Sequence, residues 1–365
     1  MSDENLLKNE EKAILALRSL YKSYGYLPYR MSKFEEYELY IRNKDFLVSD
    51  RIITFNDTSG RLMALKPDVT LSIIKNGEDT PGFKQKVYYN ENVYRVSGRT
   101  NRFRELMQTG CECIGDIDLY DIFEAVELAA KSLELISENF VLDISHLGLI
   151  ENMLTRACND PIFCEKTLSL IAEKNAHDLE RLCGEYAVES EDRDALLLLI
   201  TAYGDRNKVL SALEKKYSGR EISELRELSA LLDRVPCSKK IHFDFSVVNN
   251  MGYYNGFVFR GFIDGVSGGV LAGGQYDRLM KKMNRKSGAI GFAIYLDELE
   301  QLRSAESEYD VDTVVLYDES VPVSEVAKET ERQIALGKTV SAQKCTCDRI
   351  RAKETVNLGR ENKKC

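Results

Sequence analysis

The chain has no apolar run long enough to cross a bilayer, which excludes a helix spanning a membrane. Its opening residues, Met1-Ser2-Asp3-Glu4-Asn5, are acidic and hold no apolar signal core, so the reading is a cytoplasmic protein. It has no excess of positive charge: 50 Lys and Arg face 59 Asp and Glu, a net charge of -9. Nucleic-acid binding needs a basic face to neutralise phosphates, so this balance speaks against such a partner. Histidine is scarce. His146, His177 and His242 stand at no metal-like spacing to one another and read as surface or strand-end residues. The nine cysteines are odd in number and scattered, which points to reduced thiols. Cys345, Cys347 and Cys365 lack a fourth ligand at a recognisable spacing, so no metal and no cofactor is expected. There is no internal repeat and no low-complexity tract.

What is present is a changing period along 365 residues, room for two or three domains. Ile14, Leu15, Leu17, Leu20 and Tyr21 give residues 10–24 a helical spacing that Gly25 and Pro28 end. Residues 46–56 and 61–65 read as strands joined by Asp57-Thr58-Ser59-Gly60, with a short helix over 71–75. Residues 118–136 predict a long helix whose apolar side is Phe123, Val126, Leu128, Ala129, Leu133 and Leu135, and 140–145 a strand. From about 149 to 233 the pattern is helical. Between 240 and 272 the period returns to two, and 288–302 is an apolar strand running into a helix. The tail predicts a strand over 311–317, a helix over 323–336 and a strand over 339–343. Large apolar residues are few after 345, so the last twenty residues are expected to be loosely ordered. The sum is an α+β protein: an antiparallel sheet flanked by helices. Its core is discontinuous over 1–148 and 234–305, with a helical insertion at 149–233 and a small C-terminal α/β segment at 306–365.

The most informative stretch is a hairpin. Residues 86–96 and 103–114 alternate as strands around a loop. Residues an even number apart on a strand share a face, so Arg104, Gln108 and Glu112, four apart each time, point the same way. A core has no need of a guanidinium, an amide and a carboxylate together; a polar amino acid or a nucleotide has.

Arg102-Phe-Arg104-Glu-Leu-Met-Gln108-Thr-Gly-Cys-Glu112-Cys-Ile-Gly115, preceded by Tyr94-Arg95, resembles motif 2 of class II aminoacyl-tRNA synthetases in the histidyl version. Lys66-Pro67-Asp68-Val69-Thr70 resembles that family's R-P-E-G-T segment. Tyr253-Tyr254-Asn255-Gly256 and Gly273-Gly274-Gln275-Tyr276-Asp277 resemble two histidyl signatures. The resemblance implies a class II synthetase-like core over most of the chain, normally dimeric. It implies that Asp68 and Thr70 hold a histidine α-amino group, that Gln108 serves the amino-acid backbone, and that Glu112 accepts the imidazole N–H. Of Tyr253 and Tyr254, taken as neighbours on a strand, one lines the pocket and the other packs in the core; the family pattern favours Tyr254. Cys111 and Cys113, flanking Glu112, are expected to face away.

Two departures bear on activity. Asn249 stands where the family has the arginine that binds α-phosphate and carboxylate, and Glu298 where motif 3 has its ATP-binding arginine; Arg95 and Arg104 remain of a vestigial nucleotide site. A charge about 4 Å from a phosphate is worth roughly 4 kcal/mol at an effective dielectric near 20, and an acid reverses its sign. Losing one transition-state donor alone lowers rate by about 10²–10³. The residues after Tyr309 are also too few for the family's anticodon-binding domain. The resemblance is therefore to the non-ligating branch, the regulatory subunits of ATP phosphoribosyltransferase. It implies no catalysis by this chain, a hetero-oligomer with the short-form catalytic subunit, histidine as ligand, and a role in feedback on the first step of histidine biosynthesis. The alternatives are a divergent histidyl-tRNA synthetase or other histidine-activating enzyme, and a tRNA-sensing regulator.

Overall fold

The computed structural model describes residues 9–44, 47, 51–77, 79–96, 102–248, 253–301, 309–344 and 349–359. The chain forms two compact units, Met1–Leu302 and Arg303–Cys365. In the first, α1 (Asn9–Ser23) leads to β1 (Leu27–Pro28), β2 (Phe34–Glu36), α2 (Tyr37–Arg42), β3 (Thr54–Asn56), β4 (Leu62–Leu65) and α3 (Thr70–Asn76). The long hairpin β5 (Gln85–Val96) and β6 (Phe103–Gly115) follows, then α4 (Leu119–Ile136) and β7 (Phe140–His146). Next come α5 (Leu147–Ala157), α6 (Pro161–Ala172), α7 (Ala176–Glu185), α8 (Ser190–Thr201), β8 (Tyr203–Gly204), α9 (Arg206–Leu213) and α10 (Arg220–Leu232). The unit closes with β9 (Ile241–Asp244), β10 (Phe257–Ile263), β11 (Leu271–Gln275), α11 (Asp277–Lys282) and β12 (Gly288–Tyr295).

A nine-stranded sheet runs β1-β5-β6-β12-β11-β10-β7-β9-β8. Only the β1–β5 and β7–β9 pairings are parallel. This is the α+β arrangement, a mostly antiparallel sheet flanked by helices, that the sequence predicts. A small antiparallel sheet, β2-β4-β3, stands beside it. Helices α1 and α4 close one face of the large sheet. Asp118 starts α4 with a capping box: its carboxylate accepts from Tyr120 N and Asp121 N, while Asp121 accepts from Asp118 N. Such caps contribute about 1 kcal/mol. Val126, Leu128, Ala129 and Leu133 of α4 are buried with Leu17 and Tyr21 of α1, and the Tyr21 hydroxyl meets Ser132 Oγ at 3.2 Å. Leu15 and Leu135, expected on those apolar sides, are instead about half exposed. Leu15 lies off the stripe of Ala13, Leu17 and Tyr21, because 3.6 residues per turn rotates it away, while Leu135 is on the apolar side but in the last turn of α4. Cys111 and Cys113 are buried in this same core, on the sheet face opposite Glu112.

Arg206 pins the helical stretch to the sheet. Its guanidinium donates to the carbonyls of Ser238 (2.6 Å) and Ile241 (2.7 Å), to Ser229 Oγ (3.2 Å) and to Asp233 (2.6 Å). His146 is a buried strand-end residue: Nδ1 accepts from Leu149 N at 3.0 Å and caps α5, while Nε2 faces Glu224 at 3.2 Å.

The second unit holds β13 (Val311–Leu316), α12 (Val323–Ala335), β14 (Val340–Gln343) and β15 (Ala352–Asn357) in a parallel sheet ordered β14-β13-β15. Over Ala352–Asn357 the strand β15 corrects the expectation of a loose tail; residues 360–365 lie outside the described residues. Its order comes from backbone pairing with β13 and from ion pairs such as Lys353–Asp312, with only Ala352 and Val356 half-buried, so the hydrophobic pattern is faint. Among the described residues no helix is long and apolar enough to cross a membrane, and no cluster of His, Cys, Asp and Glu could hold a metal ion. Cys345, Cys347 and Cys365 lie outside the described residues.

Candidate functional site

A cavity of about 220 Å³ opens on the sheet face away from α4. Strand register explains why it is hollow. Directly opposed residues on paired strands share a face. One such row reads Arg260, Ala272, Ala293, Gly110, Tyr89 from β10 to β5. The next reads Val258, Gly274, Gly291, Glu112, Val87, and a third brings Tyr295 opposite Gln108. Small residues in the middle strands form the floor, and large or charged ones rise at the edges.

Glu112 is the centre of the polar lining. It is 3% exposed, and its carboxylate oxygens accept from Thr70 Oγ1 at 2.8 Å and from the Tyr276 hydroxyl at 2.6 Å. Its carboxylate lies over Gly291, where any Cβ would come within 1.7 Å of Oε2. That close approach requires glycine. Burial pushes the Glu112 pKa up to about 8; the Tyr276 and Thr70 hydrogen bonds oppose the rise and the nearby Asp68 carboxylate adds to it. Asp68 accepts from Leu71 N at 2.9 Å at the start of α3. Burial raises its pKa as well, against the pull of the Leu71 N–H, the Arg95 guanidinium and the Thr70 N–H. Gln108 is also 3% exposed, and its Nε2 donor has no partner among the described residues. A buried donor left unpaired is unfavourable by about 1–3 kcal/mol, so it invites an acceptor from a ligand.

Tyr253 and Tyr254 both line the cavity, with ring centroids 4.6 Å apart. This corrects the expectation that one would turn into the core. They sit in the turn before β10, not on a strand, so alternation does not separate them. The Tyr253 ring also stands 5.7 Å from that of Tyr276. Asp68, Thr70, Gln108, Glu112, Tyr253 and Tyr254 thus surround one space.

The residues of the expected nucleotide site are dispersed. Arg95 lines the cavity and donates from Nε to the Pro67 carbonyl at 2.9 Å. Arg104 lies opposite Arg95 but is exposed and outside the lining, because the hairpin runs on past β12, whose pairing with β6 stops at Gln108. Glu298 lies in a 3-10 turn, Leu296–Gln301, outside the lining; the adjacent Asp297 accepts from Met107 N at 3.0 Å and ties that turn to β6. Asn249 lies outside the described residues. Arg260, Tyr89 and Tyr295 line the cavity and were not singled out by the sequence reading, and Tyr276 entered it only within the Gly273–Asp277 signature. Arg260 had a signal: it is the one charge in the apolar run Phe257-Val-Phe-Arg-Gly-Phe-Ile263. Beside Arg95 it gives the lining a second guanidinium.

Comparison with known proteins agrees with the fold and the motifs. The family profile described as Histidyl-tRNA synthetase matches residues 3–299. A relative named ATP phosphoribosyltransferase regulatory subunit, from Oceanobacillus iheyensis, is 26% identical over 303 residues, covering 81% of this chain and 74% of its own. A protein of the same name from Lactococcus lactis subsp. cremoris is 27% identical over 300 residues, covering 80% of this chain and 91% of its own. A crystal structure described as an ATP phosphoribosyltransferase regulatory subunit/histidyl-tRNA synthetase from Bacillus halodurans superposes with a TM-score of 0.77 at 21% identity, covering 96% of this chain and 94% of that one.

Proposed function

The chain belongs to the histidyl-tRNA synthetase family, and from that premise we propose that it serves as the non-catalytic regulatory subunit of ATP phosphoribosyltransferase, working in the cytoplasm with the short-form catalytic chain. The name carried by its relatives supports this reading. The observation that supports it is a cavity that brings Asp68, Thr70, Gln108, Glu112, Tyr253 and Tyr254 together while the motif 3 position holds an acid, Glu298, outside that lining. Such a site can hold histidine without activating it.

In this reading Asp68 and Thr70 take the α-ammonium, whose desolvation a buried carboxylate offsets. Glu112 meets an imidazole nitrogen, and the Gln108 amide and Arg95 face the amino-acid backbone. The tyrosine rings of 253, 254 and 276 wall the imidazole and exclude water. Histidine binding and association with the catalytic chain must then be reciprocally coupled: if one changes the affinity of the other, the reverse holds by the same factor.

The test is reconstitution. Short-form transferase assayed with and without this chain is expected to gain activity on its addition and to lose it on adding histidine. No change in rate in either step removes the reading. The second reading, a histidine-activating enzyme, draws on Arg260, which restores a positive charge to the lining. Histidine-dependent exchange of pyrophosphate into ATP would establish it; its absence is the expected result.

A further inference from the structure

The cationic end of the cavity contains a residue that the motifs do not account for. Arg260 sits on β10 directly opposite Asp143 of β7, the cross-strand position where a salt bridge is favoured. It forms none there. Asp143 Oδ1 faces His242 Nδ1 at 3.7 Å instead, and Arg260 has no carboxylate partner among the described residues. The guanidinium is directed elsewhere. It stands 5.3 Å from the Phe262 ring, and it crosses Gly269 so closely that a Cβ there would lie 2.3 Å from Nε. Both Arg260 and Gly269 belong to the cavity lining.

A second observation places this charge beside the other unused donors. Tyr295 N donates to the Val270 carbonyl at 2.8 Å, one residue from the Gly269 that Arg260 crosses, and Tyr295, Arg95 and Arg260 all line the cavity. Tyr295 lies opposite Gln108, whose Nε2 is the buried donor without a partner. Arg95, Arg260, Gln108 and Tyr295 thus share one cavity lining, with Asp68 and Glu112 also in it. A guanidinium that has no carboxylate partner and lines a cavity is a site for an oxyanion.

We infer that Arg260 is the specificity-determining cation of this pocket: it receives the carboxylate of the bound amino acid, with Gln108 and Arg95 beside it. The inference rests on the amino-acid reading given above and adds to it the residue that separates an amino acid from its decarboxylated amine. It also supplies, from β10, a charge of the kind missing at position 249.

The test is calorimetry with histidine, histamine (which lacks the carboxylate) and ATP on the full chain, wild type and variants, with circular dichroism to confirm folding. Arg260→Gln is expected to weaken histidine binding by about 10- to 100-fold, the range of a lost charge-assisted hydrogen bond, and to leave histamine binding unchanged. Arg260→Lys should recover part of the loss. Gly269→Ala, which displaces the guanidinium without removing it, should reproduce the selective loss. Equal histidine affinity in wild type and Arg260→Gln overturns the assignment while leaving the amino-acid reading intact. A parallel loss of histidine and histamine overturns it as a merely structural effect. Loss of ATP binding with histidine unaffected means the oxyanion is a phosphate, and the carboxylate assignment falls. Wild-type protein that binds no histidine overturns the underlying reading and this inference with it.

Discussion

Histidine binding should follow a plateau in pH with two falling flanks, and the buried Glu112 fixes where they lie. In the empty cavity burial holds the Glu112 pKa at about 8, so the group is mostly protonated at neutral pH. A free imidazole titrates near about 6.5. Between those two values the free partners are a neutral imidazole and a neutral carboxyl, which together hold one proton. The bound pair also shares one proton, on whichever member, so binding neither takes up nor releases any. Below about 6.5 both partners are protonated and binding must expel a proton; affinity falls about tenfold per pH unit. Asp68, also raised by burial, adds to this acid flank because it too must ionise to meet the ammonium. Above about 8 both partners have lost their protons and binding must take one up, so affinity falls again with rising pH. Calorimetry in two buffers of different ionisation enthalpy counts the protons directly, near zero at pH 7.2. Glu112→Gln should erase its share of the alkaline flank and keep the acid one, and the difference between the two proteins cancels the ligand's own α-amine. Transfer of nearly one proton at pH 7.2, or an unchanged alkaline flank in Glu112→Gln, would refute the assignment of imidazole to Glu112.

Gly291→Ala places a methyl 1.7 Å from Glu112 Oε2 while Thr70 and Tyr276 hold that carboxylate, so it should destabilise the fold by about 1–3 kcal/mol and weaken histidine about tenfold or more, read by urea titration and calorimetry. Arg206→Ala strands the Ser238 and Ile241 carbonyls and should cost about 2–4 kcal/mol in urea unfolding with histidine affinity unchanged; a shift under about 0.5 kcal/mol would show that the guanidinium is dispensable.

The hairpin was the most legible part of the chain because period and chemistry agree there. Alternation sets β5 and β6, and the polar set Gln108 and Glu112 marks the face that needs a ligand. Long amphipathic helices such as α4 were equally plain, since burial on one side repeats over several turns. What the sequence hid falls into two kinds. The strands β8 and β15 are short or polar, and their order comes from backbone pairing, which leaves no hydrophobic period. The cavity wall was partly hidden because it depends on register between distant strands. Nothing local to Arg260 says that Ala272, Ala293 and Gly110 lie in line with it; only the pairings of β10, β11, β12 and β6 do. Tyr253 and Tyr254 were misjudged for a related reason. A turn replaced the strand on which their separation depended.

The charges of the pocket also limit what each can contribute to selectivity. At pH 7 a permanently cationic side chain of similar size must first ionise Glu112, whose pKa of about 8 lies one unit higher. One unit is about 1.4 kcal/mol, a tenfold penalty against such a ligand relative to an imidazole that brings no extra proton. That is too small to exclude lysine-like or arginine-like amino acids by itself. A neutral amide side chain meets no such penalty at all. The remaining discrimination must come from shape, and the rings of Tyr253, Tyr254 and Tyr276, set at steep angles to one another, supply an aromatic wall for a planar ring. In the proposed reading the carboxylate end adds the other requirement: an amine that lacks the anion forgoes the contact with Arg260 and leaves the Gln108 Nε2 donor buried and unpaired. In the proposed reading, electrostatics selects an amino acid over an amine, while the tyrosines select its side chain. Removing Arg260 should broaden the pocket toward amines, whereas opening the tyrosine wall should broaden it toward other amino acids.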